Sequence, residues 1–492
     1  MRCLPVLASS LLPLGSQLVS ACLFPDVTAL GLSSGTQVGS PSESTFTQRY
    51  STYHSPSYVV AVKPVIEQDV AKIIKFAATS EIPLLTTGGG HGFPITLGSV
   101  KCGIELDLSN LNKVVVDAKA NKLTIGGGVR FGDILGPMTQ AKKELPIGSQ
   151  YCVGMIGATL GGGVSRYNGL HGMTLDSLSS VRLVTAAGDI VTASKTSNPD
   201  LFWGMRGAGF NYGTVVEATY DIYDETAPKV LSANFLFPPS TSQSIFEYFE
   251  GFGVNLPARL SLVFLGTDVA AFANLQADQS AIVISAVYAG SQADGLKLLQ
   301  PLFDLKPTMT NITMVSWADI DAYAFFGSGA PYTEDACPKN ATHNVYGGAI
   351  ARFDIPTFQT FYSNYDKLLQ SMPDKLAGTV FFIEFFPKQA VAAVTANATA
   401  FPWRDITAHL LFNFEYDASN KSLDAQANNF LKDARRNFTA ASGFPRPQLY
   451  VSYGHGDEDL ATLYSQQNVP NLKALKAAWD PSNVYRYYHP LV

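Results

Sequence analysis

A histidine set among glycines is the first residue in this chain whose surroundings suggest chemistry. Residues 86–94 read TTGGGHGFP, so His91 follows Gly88, Gly89 and Gly90 and precedes Gly92. Glycine in such a run means either positive φ or close approach of another group to the backbone. An imidazole held there is well placed to touch a ligand. Two more glycine-rich segments, VGMIGATLGGG at 153–163 and GMRGAGFNYG at 204–213, flank predicted strands. Together the three predict a long groove in which backbone N–H groups meet an extended anionic ligand such as a pyrophosphate; the plainer alternative is tight turns in a β-rich domain. GxxxxGK[ST] does not occur, nor does a GxGxxG between a first strand and helix with an acid about twenty residues on, so neither a P-loop nor a dinucleotide Rossmann unit is supported. Glu384 in FIEFFP, and His409 and Glu415 in HLLFNFEY, are ionisable groups on apolar strands. Such a group either works through a shifted pKa or simply faces solvent.

The elements that must position these residues alternate β and α from about residue 57. SYVVAV reads as a strand closed by Pro64, and EQDVAKIIKFAATS carries Val70, Ile73, Ile74 and Ala77 at helical spacing. IPLLTT, GIELDL and LTIGGGV follow as strands, with a helix from about Phe131 to Lys143. VRLVTAAGDIVTAS reads as a hairpin turning at Ala187-Gly188-Asp189, and NYGTVVEATYDIY closes the unit. From about residue 226 glycine clusters thin out and strands such as AIVISAVYA and GTVFFIEFF predict an antiparallel sheet with helices on one side. The expected fold class is α+β: a ligand-binding unit over 50–225, a sheet-rich substrate unit over 226–430, and a C-terminal segment over 431–492.

At 492 residues, 46% hydrophobic and 15% charged, the chain can bury large cores and calls for more than one domain. A net charge of −6 offers no basic face for nucleic acid. MRCLPVLASSLLPLGSQLVSACLFP reads as a secretory signal peptide cut near Ala21, too short and interrupted to span a bilayer, and no other stretch is long and apolar enough to do so. The five cysteines Cys3, Cys22, Cys102, Cys152 and Cys337 are too scattered for a metal cluster, and leave room for a single bridge. Asn-x-Ser/Thr sequons fall at Asn311, Asn340, Asn397, Asn420 and Asn437, in keeping with secretion.

In combination, the strand before GGGHG, the GxxGxxLGGG-type loop and DLFWGMRGAGFNYGTVVEATYDIY resemble the berberine bridge enzyme-like family of FAD-linked oxidases, in the p-cresol methylhydroxylase/vanillyl-alcohol oxidase superfamily. TAFPWR at 399–404 is similar to that family's TAFPHR, and LKALKAAWDPSNVYRY to its C-terminal IKAKYDPxNVF. The resemblance runs from about residue 50 to the end. It implies a PCMH-type FAD-binding domain, with the C-terminal segment returning to it. FAD would be linked covalently through His91 and cradled by Gly88, Gly89, Gly90, Gly92, Val153, Gly154, Gly157, Gly161, Gly162, Gly163, Gly213 and Val215. The family's second link, from a cysteine to the flavin ring, meets Gln150 here. Cys152 lies two residues on, and is expected either to pack near the ring or to act as a variant linker. Tyr450 and Tyr453 in YVSYGHGDED match tyrosines of the family's YxNYxD-type segment, with Ser452 and His455 in place of Asn and Asp; Tyr453 ranks first as base, ahead of Tyr450, Glu384, His409 and Glu415.

The expected activity is that of a secreted, monomeric oxidase passing a hydride from a small substrate to FAD, with dioxygen as acceptor and hydrogen peroxide as product. The many aromatics of AYAFFGSGAPY and FFIEFFP favour an aromatic or polyketide-like secondary metabolite, although aromatics also build cores. A non-redox cyclase or isomerase on the same scaffold, an oligosaccharide oxidase and a flavin-free binding protein are the alternatives.

Overall fold

The computed structural model describes Cys22 and residues 26–268, 280–327 and 337–492; the expected signal segment 1–21 lies outside the described residues. The first unit is built on two sheets. Tyr58–Lys63, Gly103–Asp107 and Leu84–Thr87 run parallel, with Gln37–Gly39 antiparallel at the edge. Parallel neighbours need a crossover, and the helix Glu67–Thr79 supplies it, burying the Val70, Ile73, Ile74 and Ala77 stripe. Val114–Asp117, Lys122–Gly126, Thr214–Asp221, Leu178–Val184 and Ile190–Ser194 form an antiparallel five-stranded sheet in that order. Its last two strands are the expected hairpin, turned at Gly188 with φ +87°.

A seven-stranded antiparallel sheet follows, ordered Met309–Val315, Val230–Phe237, Ser280–Tyr288, Leu260–Asp268, Val380–Phe385, Ala408–Glu415, His343–Ile350. Period-two alternation gives its central strands two different faces. Phe264, Phe381, Ile383, Phe412 and Phe414 pack against the helices Ser242–Phe252, Ile355–Ser371 and Lys421–Ala441. Burying each such phenyl ring contributes about 1.5–3 kcal/mol. Val263, Leu265, Phe382, Glu384, Leu411 and Asn413 point the other way, into a cavity shared with the first unit. Much of the aromatic wealth of this region is therefore core, and among the described aromatic residues of the two quoted stretches Phe325 and Phe382 line that cavity.

Helix Lys421–Ala441 stays on the large sheet, so the expected boundary at 430 falls inside it and the chain crosses back only afterwards. Leu472 and Leu475 of helix Val469–Trp479 then join the core of the first unit beside Leu201 and Met205. The Lys476 ammonium, buried in that core, donates to Asp480 at 2.6 Å, to the Asn211 carbonyl at 3.0 Å and to the Tyr485 carbonyl at 2.6 Å. A buried cation needs such full pairing, and here the pairing docks the C-terminal motif onto the 204–213 loop. TAFPWR clamps the same loop from the other side. The Phe401 amide donates to the Arg206 carbonyl at 3.0 Å, and Arg404 grips Asp176 with both carboxylate oxygens at 2.8 and 2.9 Å.

Two disulfides are present, Cys22–Cys102 and Cys152–Cys337, rather than the single bridge allowed from the sequence. Both join residues far apart in the chain, a separation that restricts the unfolded ensemble strongly.

Candidate active site

A cavity of about 810 Å³ lies between the first unit and the free face of the large sheet. From the first unit it is lined by Gly88, Gly89, Gly90, His91, Gly92, Val153, Gly154, Gly157, Gly163, Gly213 and Val215, together with Gly127. From the later parts of the chain it is lined by Val263, Leu265, Asp321, Phe325, Phe382, Glu384, Leu411, Asn413, Tyr450 and Tyr453.

The glycines do different jobs. A Cβ on Gly89 would sit 2.3 Å from the Gly154 nitrogen, and one on Gly154 would sit 2.6 Å from the Gly89 nitrogen, so the first two loops need glycine to interlock. Gly157 has nothing within 4 Å of its absent Cβ and faces the cavity, so it leaves room for a ligand. Gly161 and Gly162 are corrections. They stand behind the lining, pressed on Ser452 and Phe210 and on Met173 and Tyr450, and serve packing. Gly89→Ala is expected to lower stability by about 1–3 kcal/mol through a clash with rigid backbone. Gly157→Ala should keep the melting temperature while reducing the flavin bound per chain. Melting curves and absorbance of the two purified variants separate these effects.

His91 is held by stacking. Its ring lies 4.8 Å from that of Tyr50 with planes 11° apart, and Tyr50 lies 3.9 Å from His343 at 2°. Asn413 Nδ2 donates to the Tyr50 hydroxyl at 2.9 Å, while Asn413 Oδ1 pairs with His343 Nδ1 at 3.1 Å. The first unit's histidine thus rests on a tyrosine that the large sheet fixes. Burial, with the Arg130 and Arg49 charges nearby, pushes the His91 imidazole down to about 3. It is therefore neutral and nucleophilic near pH 7.

In the same lining the Tyr453 hydroxyl donates to Glu384 Oε2 at 2.7 Å. Burial pushes the Glu384 carboxyl up to about 7, against the lowering effects of Tyr453 and Arg166. Burial and the adjoining carboxylate push the Tyr453 phenol well above its ordinary value. Tyr450, by contrast, accepts from the Gly163 amide at 2.9 Å, so its hydroxyl braces the glycine loop. His409 pairs with Glu384 across neighbouring strands, but lies behind the two tyrosines, its ring 5.7 Å from Tyr450 and 6.3 Å from Tyr453. Burial pushes it down to about 3, and it is not part of the lining. Glu415 is also a correction: it lies outside the cavity near Gly378, with His343 Nδ1 at 4.0 Å. His455 stacks on Tyr346 at 3.8 Å and pairs with the Val345 carbonyl at 2.9 Å, a packing role.

Cys152 borders the cavity with its sulfur committed to Cys337, which removes it as a variant flavin linker in this state. Sequence reasoning passed over Tyr50, His343, Asn413, Arg166 and Asp321. Each comes from a different element, and no local spacing marks them.

A model of the FAD binding domain matches residues 56–194, and one described as berberine and berberine like matches residues 449–491. The FAD-linked oxidoreductase azaL of Aspergillus niger is 39% identical over 474 residues, covering 94% of this chain and 98% of that protein. The chain belongs to the berberine bridge enzyme-like FAD-linked oxidoreductases. The FAD-linked oxidoreductase tazG of Aspergillus terreus is 36% identical over 449 residues, covering 90% of this chain and 89% of its own. Among solved structures, Physcomitrella patens BBE-like 1 superposes with a TM-score of 0.80 at 20% identity over 93% of this chain and 97% of that one. A chitooligosaccharide oxidase superposes at 0.78 and 21% over 94% and 98%. An FAD-linked oxidoreductase needs a place for an extended dinucleotide, and the residues here fit one: a glycine-bared groove, open space over Gly157 and a neutral imidazole at its edge. Among the described residues no group of three or more His, Cys, Asp or Glu could hold a metal ion, and no helix is long and apolar enough to cross a membrane.

Proposed function

We propose that the protein is a secreted oxidase that takes a hydride from a small, largely apolar hydroxylated molecule, with FAD linked covalently to His91. The observation that carries this reading is the Tyr453–Glu384 hydrogen bond of 2.7 Å in the wall of the cavity that His91 also lines. FAD supplies the two-electron acceptor for a hydride leaving the substrate carbon, and dioxygen then takes those two electrons with two protons to give hydrogen peroxide.

The protein's part is to hold the substrate and remove a proton. Ionised Glu384 draws the proton from Tyr453, which takes one from the substrate hydroxyl, so the charge never rests on an isolated phenolate. Tyr453 is thus a relay rather than the final base. Val263, Leu265, Phe325, Phe382 and Leu411 give the cavity apolar walls, which would keep water from the reacting carbon. Such walls suit an aromatic or polyketide-like molecule better than an oligosaccharide. His91 would hold the cofactor through an imidazole nitrogen, with Tyr50 fixing the ring plane.

Two disulfides and five exposed sequon asparagines, Asn311, Asn340, Asn397, Asn420 and Asn437, support passage through the secretory pathway. The decisive experiment is anaerobic addition of phenolic and polyketide alcohols to the purified yellow protein. Bleaching of the flavin, followed by peroxide release on admitting oxygen, is the expected result. Turnover with the flavin still oxidised and no oxygen uptake would instead place a cyclase or isomerase here.

A further inference from the structure

We propose that Asp321 is a second recognition point in the cavity, taking a hydrogen bond from a hydroxyl that the substrate carries away from its oxidised carbon. The proposal rests on the oxidase reading above and narrows its substrate to molecules with two separated polar groups.

Asp321 lines the cavity, and its Oδ2 is buried with no hydrogen-bond partner among the described residues. An acceptor buried and left unpaired costs about 1–3 kcal/mol, more if charged, and such a group calls for a reason. Its backbone is held firmly from both sides. The Tyr151 hydroxyl, one residue before Cys152, accepts from the Asp321 and Ala322 amides at 3.0 and 3.2 Å and donates to the Ala318 carbonyl at 2.8 Å. Asn234, from the large sheet, donates to the Tyr323 carbonyl and accepts from the Phe325 amide, both at 2.8 Å. Clamped between cofactor loop and substrate sheet, the segment presents its carboxyl at a fixed place, as a specificity element must.

The charges around it select the donor. Among the described residues the buried Arg166 hydrogen-bonds to Ser285 at 3.1 and 3.2 Å and finds no partner for Nε. Its field reaches both Asp321 and Glu384, which also repel each other, and burial pushes each carboxyl up to about 7. Around Asp321, one cation faces two carboxyls that resist joint ionisation, which leaves little net charge there. A neutral hydroxyl therefore fits better than an ammonium. The Arg166 guanidinium lies 5.9 Å from the ring of Phe325, which lines the cavity beside Asp321.

The test titrates the purified flavoprotein with each isomer of hydroxybenzyl alcohol and with its methyl ether, following the perturbed flavin spectrum. At least one hydroxyl compound is expected to bind the wild type about tenfold more tightly than its ether, a size within the range of one net hydrogen bond. Asp321→Ala and Asp321→Val, which carry no side-chain acceptor, should each abolish that preference while keeping flavin content and melting temperature. Equal binding of every pair by the wild type, absence of binding, or a preference that survives both substitutions overturns the proposal. Flavin content and dithionite bleaching of the same samples report separately on the oxidase reading.

Discussion

Glu384→Gln and Tyr453→Phe are each expected to lower kcat by about 10²–10⁴-fold, the usual range for a positioned acid–base group. The double variant should be little worse than either single, because the two act through one hydrogen bond and their effects do not add. The pH profile carries the finer information. Glu384 must be ionised to accept a proton, and burial holds it protonated up to about 7, so the wild-type rate should rise with pH through that value. Tyr453, Tyr450, Arg166 and Asp321 all act on this carboxyl, so the step belongs to the group of charges around it. Glu384→Gln should remove the step, whereas a variant that only loosened packing would lower the rate at every pH and leave it in place. The same shift has a cost. Between the ordinary carboxyl value and about 7 the folded chain binds a proton that the unfolded chain has lost, so this group lowers stability as pH rises through that window. Stopped-flow flavin reduction at several pH values, beside thermal melts of the same samples, checks both signs.

The second large effect is expected at His91. His91→Ala should fold and bind FAD without a covalent bond, so that acid precipitation releases the flavin into the supernatant. The wild-type pellet should stay yellow. Loss of the electron-withdrawing imidazole substituent should also make the flavin a weaker oxidant, slowing its reduction by about tenfold or more, about 1.4 kcal/mol in the barrier. Tyr50 and His343 make this prediction specific. They hold the imidazole in a stack, so the ring plane is fixed before the cofactor arrives.

Much of the first unit was legible in the sequence because its signals are local. The apolar stripe of Glu67–Thr79, the hairpin turned at Gly188 and the glycine run around His91 each depend on neighbours within a few residues. Alternation also announced the large sheet, but which face looked inward could not be read from strands apolar on both sides. Glu384 and Glu415 sit on adjacent strands in similar surroundings. Both lie on the cavity face of the sheet, but Glu384 falls where the cavity is, whereas Glu415, the last residue of its strand, lies outside it beside Gly378. Asp321, Arg166 and Asn413 were invisible for a related reason: each gains its meaning from partners far off in the chain. The motifs that carried the family resemblance turned out to be largely clamps. Lys476 with Asp480, and Arg404 with Asp176, bind the C-terminal segment and TAFPWR to the cofactor loops. Even the glycines divide in this way, since Gly89 and Gly154 interlock two loops while Gly157 leaves space open.

Peptide mass analysis of the digested, purified protein tests the central claim most directly. The account predicts that the peptide holding His91 carries the mass of FAD, and that Cys152 is recovered joined to Cys337 with no flavin. An unmodified His91 peptide, or flavin mass on the Cys152 peptide, would contradict it.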